Sequence, residues 1–185
     1  MSRALACRML LLPLVLLEAY AAQVTDLQGN PADPLSHHGT VQVLLFLRTD
    51  CPITNRYAPE LQRIASQFAH SPVAFSLVYS ASVETTTAVE DHLRQYRFPG
   101  TAILDPGRAL ARRAHATVAP EAAVFDRAGH MVYLGRIDDR WISFGKSRPQ
   151  ATVHDLEAAI TALLAGKMPR EGRTQAIGCS LEDSQ

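Results

Sequence analysis

Cys51 stands where a thiol is chemically privileged. It follows the continuous apolar run at 41–47 and the polar break Arg48-Thr49-Asp50. It precedes Pro52 and a stretch of helical periodicity. The first N–H groups of a helix have no internal partner, and the helix dipole favours negative charge there. Both effects stabilise thiolate over thiol, and thiolate is the nucleophile. Arg48 and Arg56 can add positive charge, whereas Asp50 opposes it if aimed at the sulfur. A thiol so placed is expected to alkylate faster than a free cysteine. The bland alternative is an inert, buried cysteine. Thr54 follows three residues on. A C-x-x-T sequence closes no local disulfide, but the Thr54 hydroxyl can hydrogen-bond the Cys51 thiolate.

The chain holds two other cysteines, Cys7 and Cys179. Cys7 lies in a segment that reads as a secretory signal. Arg3 and Arg8 give a positive start, residues 9–17 are almost wholly apolar, and Ala19-Tyr20-Ala21 offers a cleavage site. The segment is short for a stable span. Residues 1–21 are therefore expected to be removed and the mature protein to begin near Ala22, in the periplasm or outside the cell. The alternative is an uncleaved anchor. Export allows disulfides, and Cys179 is then the other thiol left. The expectation is that Cys51 and Cys179 form a bridge, or that the tail can bring them together. An external thiol is the alternative resolving group.

Lysine plus arginine equal aspartate plus glutamate, at 18 each over 185 residues. Such balance gives no field to draw nucleic acid or anionic lipid. His37, His38, His115, His130 and His154 lack tight metal spacing. No cofactor is implied. Two cysteines and one histidine holding a soft metal stand as an alternative chemistry.

The elements that must position Cys51 follow from periodicity. Residues 41–47 and 73–79 read as buried strands. Ile53, Tyr57, Leu61, Ile64 and Phe68 recur on one helical face, with Pro52 suited to the first turn and Pro59 expected to kink the helix. Val89, Leu93 and Tyr96 mark a second helix, 102–104 a short strand, and 109–114 a short helix. Strands at 122–125 and 131–136 flank the turn Asp126-Arg127-Ala128-Gly129. The last helix is expected over 152–165, with Thr152 and Asp155 as a capping box and Gly166 as its stop. Alternating strands and helices followed by a hairpin and a closing helix give an α/β fold, a central mixed sheet flanked by helices. The organisation is a signal at 1–21, one domain at 22–166 and a tail at 167–185.

Cys51-Pro52-Ile53-Thr54 with Pro59 resembles the active-site turn of the thioredoxin-like superfamily. There a nucleophilic cysteine opens a helix and a proline follows eight residues later. The lead-in at 24–27, the insert at 83–110 and Thr117-Val118-Ala119-Pro120-Glu121 resemble the redoxin branch, which groups AhpC/TSA-type peroxiredoxins with TlpA-like exported oxidoreductases. The resemblance implies a thioredoxin-like fold and a cis-proline at Pro120 facing Cys51. It implies thiols, disulfides or peroxide as partners, and antioxidant or disulfide-exchange activity.

The departures from the pattern are specific. Thr54 replaces the second cysteine, Leu45 stands where thioredoxins bury an aspartate, and Arg48 stands where peroxiredoxins place threonine. Gly135-Arg136-Ile137-Asp138-Asp139-Arg140, a later Lys146, and Ala176-Ile177-Gly178-Cys179 are similar to stretches of exported redoxin-like proteins. The charges of the first stretch read as a solvated loop or as a substrate site. The reading is an exported thiol oxidoreductase with Cys51 as nucleophile, Cys179 as resolving group, Thr54 tuning the thiolate and Pro120 walling the site. A metal-handling module and a redox-inactive binding domain are the alternatives.

Overall fold

The computed structural model describes residues 23–36 and 39–182. The signal segment with Cys7, the pair His37-His38 and the last three residues lie outside them.

The chain opens with β1 (Thr25–Asp26) and enters β2 (Val41–Leu47), whose seven residues are all buried. Helix α1 (Pro52–Gln67) carries it to β3 (Val73–Tyr79), and α2 (Thr86–Tyr96) carries it to β4 (Thr101–Leu104). Then come α3 (Ala109–Ala114), β5 (Val118–Ala119), and the hairpin of β6 (Glu121–Phe125) and β7 (Met131–Gly135). A small hairpin, β8 (Trp141–Ser143) and β9 (Lys146–Ser147), precedes α4 (Asp155–Leu164), and the tail ends in β10 (Cys179–Ser180).

The main sheet runs β1-β4-β3-β2-β6-β7. β2 pairs parallel with β3 and antiparallel with β6, so the sheet is mixed, with the strand before Cys51 at its centre. The period of two sorts the residues of β2 onto two faces. Val43, Leu45 and Leu47 pack with Ile53, Tyr57, Leu61 and Ile64 of α1 and with Leu156 and Ile160 of α4. Leu44 and Phe46 pack with Leu110, Ala111 and Ala114 of α3 and with Leu181 of the tail. No helix among the described residues is long and apolar enough to cross a membrane.

Pro59 lies inside α1 on its exposed face, and the helix continues past it. The last helix starts at Asp155, with His154 as its N-cap, three residues later than the capping-box reading placed it. Asp139 is the reason. Its carboxylate accepts from Thr152 N at 2.6 Å, Thr152 Oγ1 at 2.6 Å and Val153 N at 3.0 Å, which holds that stretch outside the helix. Although burial works against the charge, these hydrogen bonds keep the Asp139 carboxyl well below the usual range. Asp155 is bound instead by Arg136 Nε at 2.7 Å, and Tyr57 Oη donates to the buried Asp138 at 2.6 Å. The Asp138-Asp139 stretch is thus a set of buried staples rather than a solvated loop.

Candidate functional site

Cys51 sits at the N-cap of α1 with extended backbone, and Pro52 occupies the first helical position. Asn55 N donates to Cys51 O at 3.1 Å. The Cys51 side chain makes no cap hydrogen bond. Its thiol donates across the site to Ala119 O at 3.2 Å. The Ala119–Pro120 bond is cis, as the resemblance implied, and Pro120 directly follows the residue whose carbonyl accepts from Cys51.

The tail supplies the fourth wall. β10 pairs antiparallel with β5, with Cys179 opposite Ala119 and Ser180 opposite Val118. Cys51 and Cys179 are both free thiols, and Cys179 lies opposite the residue whose carbonyl accepts from Cys51. Burial, reinforced by the neighbouring Cys51, pushes the Cys179 thiol up to about 12. At neutral pH Cys179 is therefore held as the thiol.

Several contacts seat this strand. Arg48 grips Asp50 through Nε at 2.9 Å and Nη2 at 2.8 Å, and its Nη1 donates to Ser180 O at 2.7 Å. Leu181 N donates to Thr117 O at 2.9 Å, and the Leu181 side chain is fully buried. Farther back, Gly135 lies against Thr174 so closely that a Cβ would come within 2.1 Å of the Thr174 hydroxyl. A Cβ at Gly178 would come within 2.2 Å of Ala119 O. The glycine before the second cysteine lets the two backbones meet.

The site residues read from sequence are placed unequally. Cys51, Pro120 and Cys179 converge. Thr54 is close in sequence and wholly buried, but its hydroxyl has no hydrogen-bond partner. The bond expected from it to a Cys51 thiolate is not made here, where Cys51 donates to the Ala119 carbonyl as a thiol. Of the two arginines, Arg48 clasps the tail, and Arg56 lies over the Trp141 ring, 5.7 Å from its centre. Among the described residues, one group of three side chains has metal-ligand spacing: Glu60, His154 and Glu157. It lies apart from the cysteines, and Arg63 donates to both of its carboxylates.

Glu84 was missed by sequence reasoning. It accepts from Thr49 N at 3.0 Å, beside the Cys51 turn. Its second carboxylate oxygen is buried without a partner, and burial pushes the group upward. The available signal was a lone acid in the Ser/Thr-rich turn at 80–87.

Cys51 has 0 % exposed surface, so a reagent reaches it only when β10 lifts. Rapid alkylation is expected of the opened site alone. Overpacking a tight contact costs roughly 1–3 kcal/mol, which at Gly178→Ala falls on the seat of β10. Native-state alkylation of Cys51 is expected to quicken about tenfold in that variant, through local opening. Timed iodoacetamide labelling with peptide mapping checks this, and an unchanged rate would show that the tail is not the cover.

Residues 18–158 match the Redoxin family. The chain belongs to that family. Redoxin membership places it among thiol oxidoreductases at the family level. The matched span contains Cys51, Thr54 and Pro120 and stops short of Cys179. Solved structures agree on the thioredoxin-like fold. A hypothetical protein from Sinorhizobium meliloti is 24 % identical with a TM-score of 0.75, over 87 % of this chain and 90 % of that one. An uncharacterized conserved protein from Geobacillus kaustophilus is 24 % identical with a TM-score of 0.72, over 88 % of each chain. A secreted Mycobacterium tuberculosis disulfide oxidoreductase, homologous to Escherichia coli DsbE, is 20 % identical with a TM-score of 0.54, over 77 % of this chain and 93 % of that one. At these identities the likeness is one of fold. No match was found among curated proteins.

Proposed function

We propose that this Redoxin protein is an exported thiol-disulfide oxidoreductase whose working pair is Cys51 and Cys179. The observation that carries the reading is the pairing of β10 with β5, which sets Cys179 opposite Ala119, the residue whose carbonyl accepts from the Cys51 thiol. Export is supported by the charged, apolar and small-residue pattern of residues 1–21.

The cycle follows from the order of the two groups. Cys51, at the helix N-terminus, loses its proton and attacks a substrate disulfide. One S–S bond breaks, a new one forms to Cys51, and the first substrate thiolate leaves. Cys179 then loses its proton and attacks the Cys51 sulfur, releasing the second thiolate. The substrate disulfide has gained two electrons and the protein holds a Cys51–Cys179 bridge. An external dithiol resets it and becomes a disulfide itself. Thr54 has a role once Cys51 is a thiolate: its unpartnered buried hydroxyl can then donate to the sulfur.

Disulfide exchange is favoured over peroxide reduction for two reasons. A second thiol lies on the strand paired to the residue that holds Cys51. The position of the peroxide-activating threonine is Arg48, whose guanidinium is committed to Asp50 and Ser180. The test is a non-reducing peptide map of the mature protein after mild oxidation. The Cys51 and Cys179 peptides are expected to be linked, with the link lost on reduction. Cys51 found as sulfenic acid with Cys179 free would replace this reading with a one-thiol mechanism.

A further inference from the structure

One basic depression takes no part in that cycle. It has a volume of about 680 Å³ and is lined by Arg108, Arg112, His115, Thr117, Arg173 and Glu182. Its lining thus holds three guanidiniums and one carboxylate. Arg112 and His115 are exposed near the end of α3, and among the described residues neither side chain has an ion pair or hydrogen bond. Arg173 acts at a distance on Glu121, whose carboxylate is already taken by the amides of Thr117 and Val118. Arg108 Nη2 meets Glu182 Oε1 at 3.2 Å, but the Glu182 side chain is 74 % exposed. The adjacent Arg108 Nε is buried and has no acceptor. A guanidinium edge offers two parallel N–H groups to one carboxylate. Glu182 uses one of them and leaves the other empty, so it fills the place of a better-fitting anion.

The position of the depression says what that anion belongs to. Thr117 lies on its wall and directly precedes β5, whose Ala119 carbonyl holds the Cys51 thiol. Glu182 lies three residues beyond Cys179 on the same tail, about 10 Å of extended chain. We propose that this depression is the specificity site for the anionic end of the substrate, a small peptide disulfide bearing free carboxylates, and that Glu182 occupies it until such a substrate displaces it. A carboxylate seated on Arg108, Arg112 and Arg173 puts a sulfur one short peptide away at Cys51. It also removes one of the contacts that hold β10 closed.

This inference rests on the disulfide-exchange reading, and the test separates the two. Oxidation of the reduced full-length protein is timed with glutathione disulfide, which is polyanionic, and with bis(2-hydroxyethyl) disulfide, which is neutral. The double variant Arg112→Gln/Arg173→Gln is expected to lose about tenfold in rate with the anionic disulfide and to keep its rate with the neutral one. Glu182→Gln is expected to gain a few-fold with the anionic disulfide, because the competing carboxylate is gone. Equal effects of the double variant on both disulfides, or on neither, would overturn the site. Binding of S-methylglutathione, which cannot exchange, is measured in parallel by calorimetry. Binding that is lost in the double variant supports the depression even if the wild type exchanges with neither disulfide, an outcome that would sink only the redox cycle. No binding to the wild type at millimolar concentration overturns the proposal.

Discussion

The Cys179→Ser variant is expected to accumulate as a mixed disulfide through Cys51 when given a substrate disulfide, while the wild type releases both product thiols. The first attack needs Cys51 alone, and the variant keeps it. The second attack needs a thiol already at the Cys51 sulfur. A well-placed internal group works at an effective concentration far above that of free thiols, so its loss slows release by roughly a hundredfold or more. Serine preserves the two-residue pairing of β10 with β5, which is made by backbone groups. Intact mass of the acid-quenched protein reads the adduct directly. The pH dependence gives a second mark. Burial, with Cys51 beside it, pushes the Cys179 thiol up to about 12. Its thiolate fraction therefore grows as pH rises toward that value, and release in the wild type should quicken with alkalinity more steeply than adduct formation. If the variant releases product at the wild-type rate, an outside thiol resolves Cys51 and the internal pair has no part in turnover.

The second large effect lies away from the cysteines, in His92. This imidazole is buried. Its Nε2–H donates to Asn55 Oδ1 at 2.7 Å, and its Nδ1 accepts from Tyr79 Oη at 2.9 Å. The Asn55 oxygen can only accept, which assigns the neutral tautomer. The rings of Tyr96 and Phe98 close around it. Burial lowers its pKa from 6.5 to about 4. The unfolded chain therefore binds the proton first as the solution is acidified. The stabilising effect of the neutral ring is whole above pH 6.5 and is lost as pH falls toward 4. A shift of this size corresponds to something on the order of 3 kcal/mol. Urea unfolding at pH 7 and pH 4.5 should show that loss. His92→Gln removes the titrating group and should flatten the slope across this window, at some cost in stability at pH 7. A slope as steep in the variant as in the wild type would assign the acid lability to the carboxylates.

The sequence was most readable where one segment settles its own structure. Val41–Leu47 had to be a strand buried on both faces, and Ile53, Tyr57, Leu61 and Ile64 had to share a helix face. Cys51 at the junction between them followed from the same run of residues. Where the deciding partner lies far along the chain, local pattern failed. Thr152 had the form of a helix cap until Asp139, thirteen residues earlier, claimed its amide and hydroxyl. The partner that Cys51 does find, the Ala119 carbonyl, lies sixty-eight residues after it. The tail carries no periodicity that marks a strand. β10 is two residues long and exists because Val118 and Ala119 offer it an edge. Gly178 was the one local sign, since a close backbone approach demands a residue without a side chain.

The place of Cys179 in the chain has a consequence for how the molecule comes into being. Every strand of the main sheet, and helices α1 to α4, precede it in sequence. Domains made from the N-terminus onward begin to fold before their last residues arrive. During synthesis Cys51 is therefore an uncovered thiol, with the edge of β5 unpaired beside it, until residues 178–182 emerge. Foreign thiols and unpaired strands have their access in that interval. Each newly made molecule passes once through the open state that the mature protein reaches only when β10 lifts, and the arrival of residues 178–182 is what ends it.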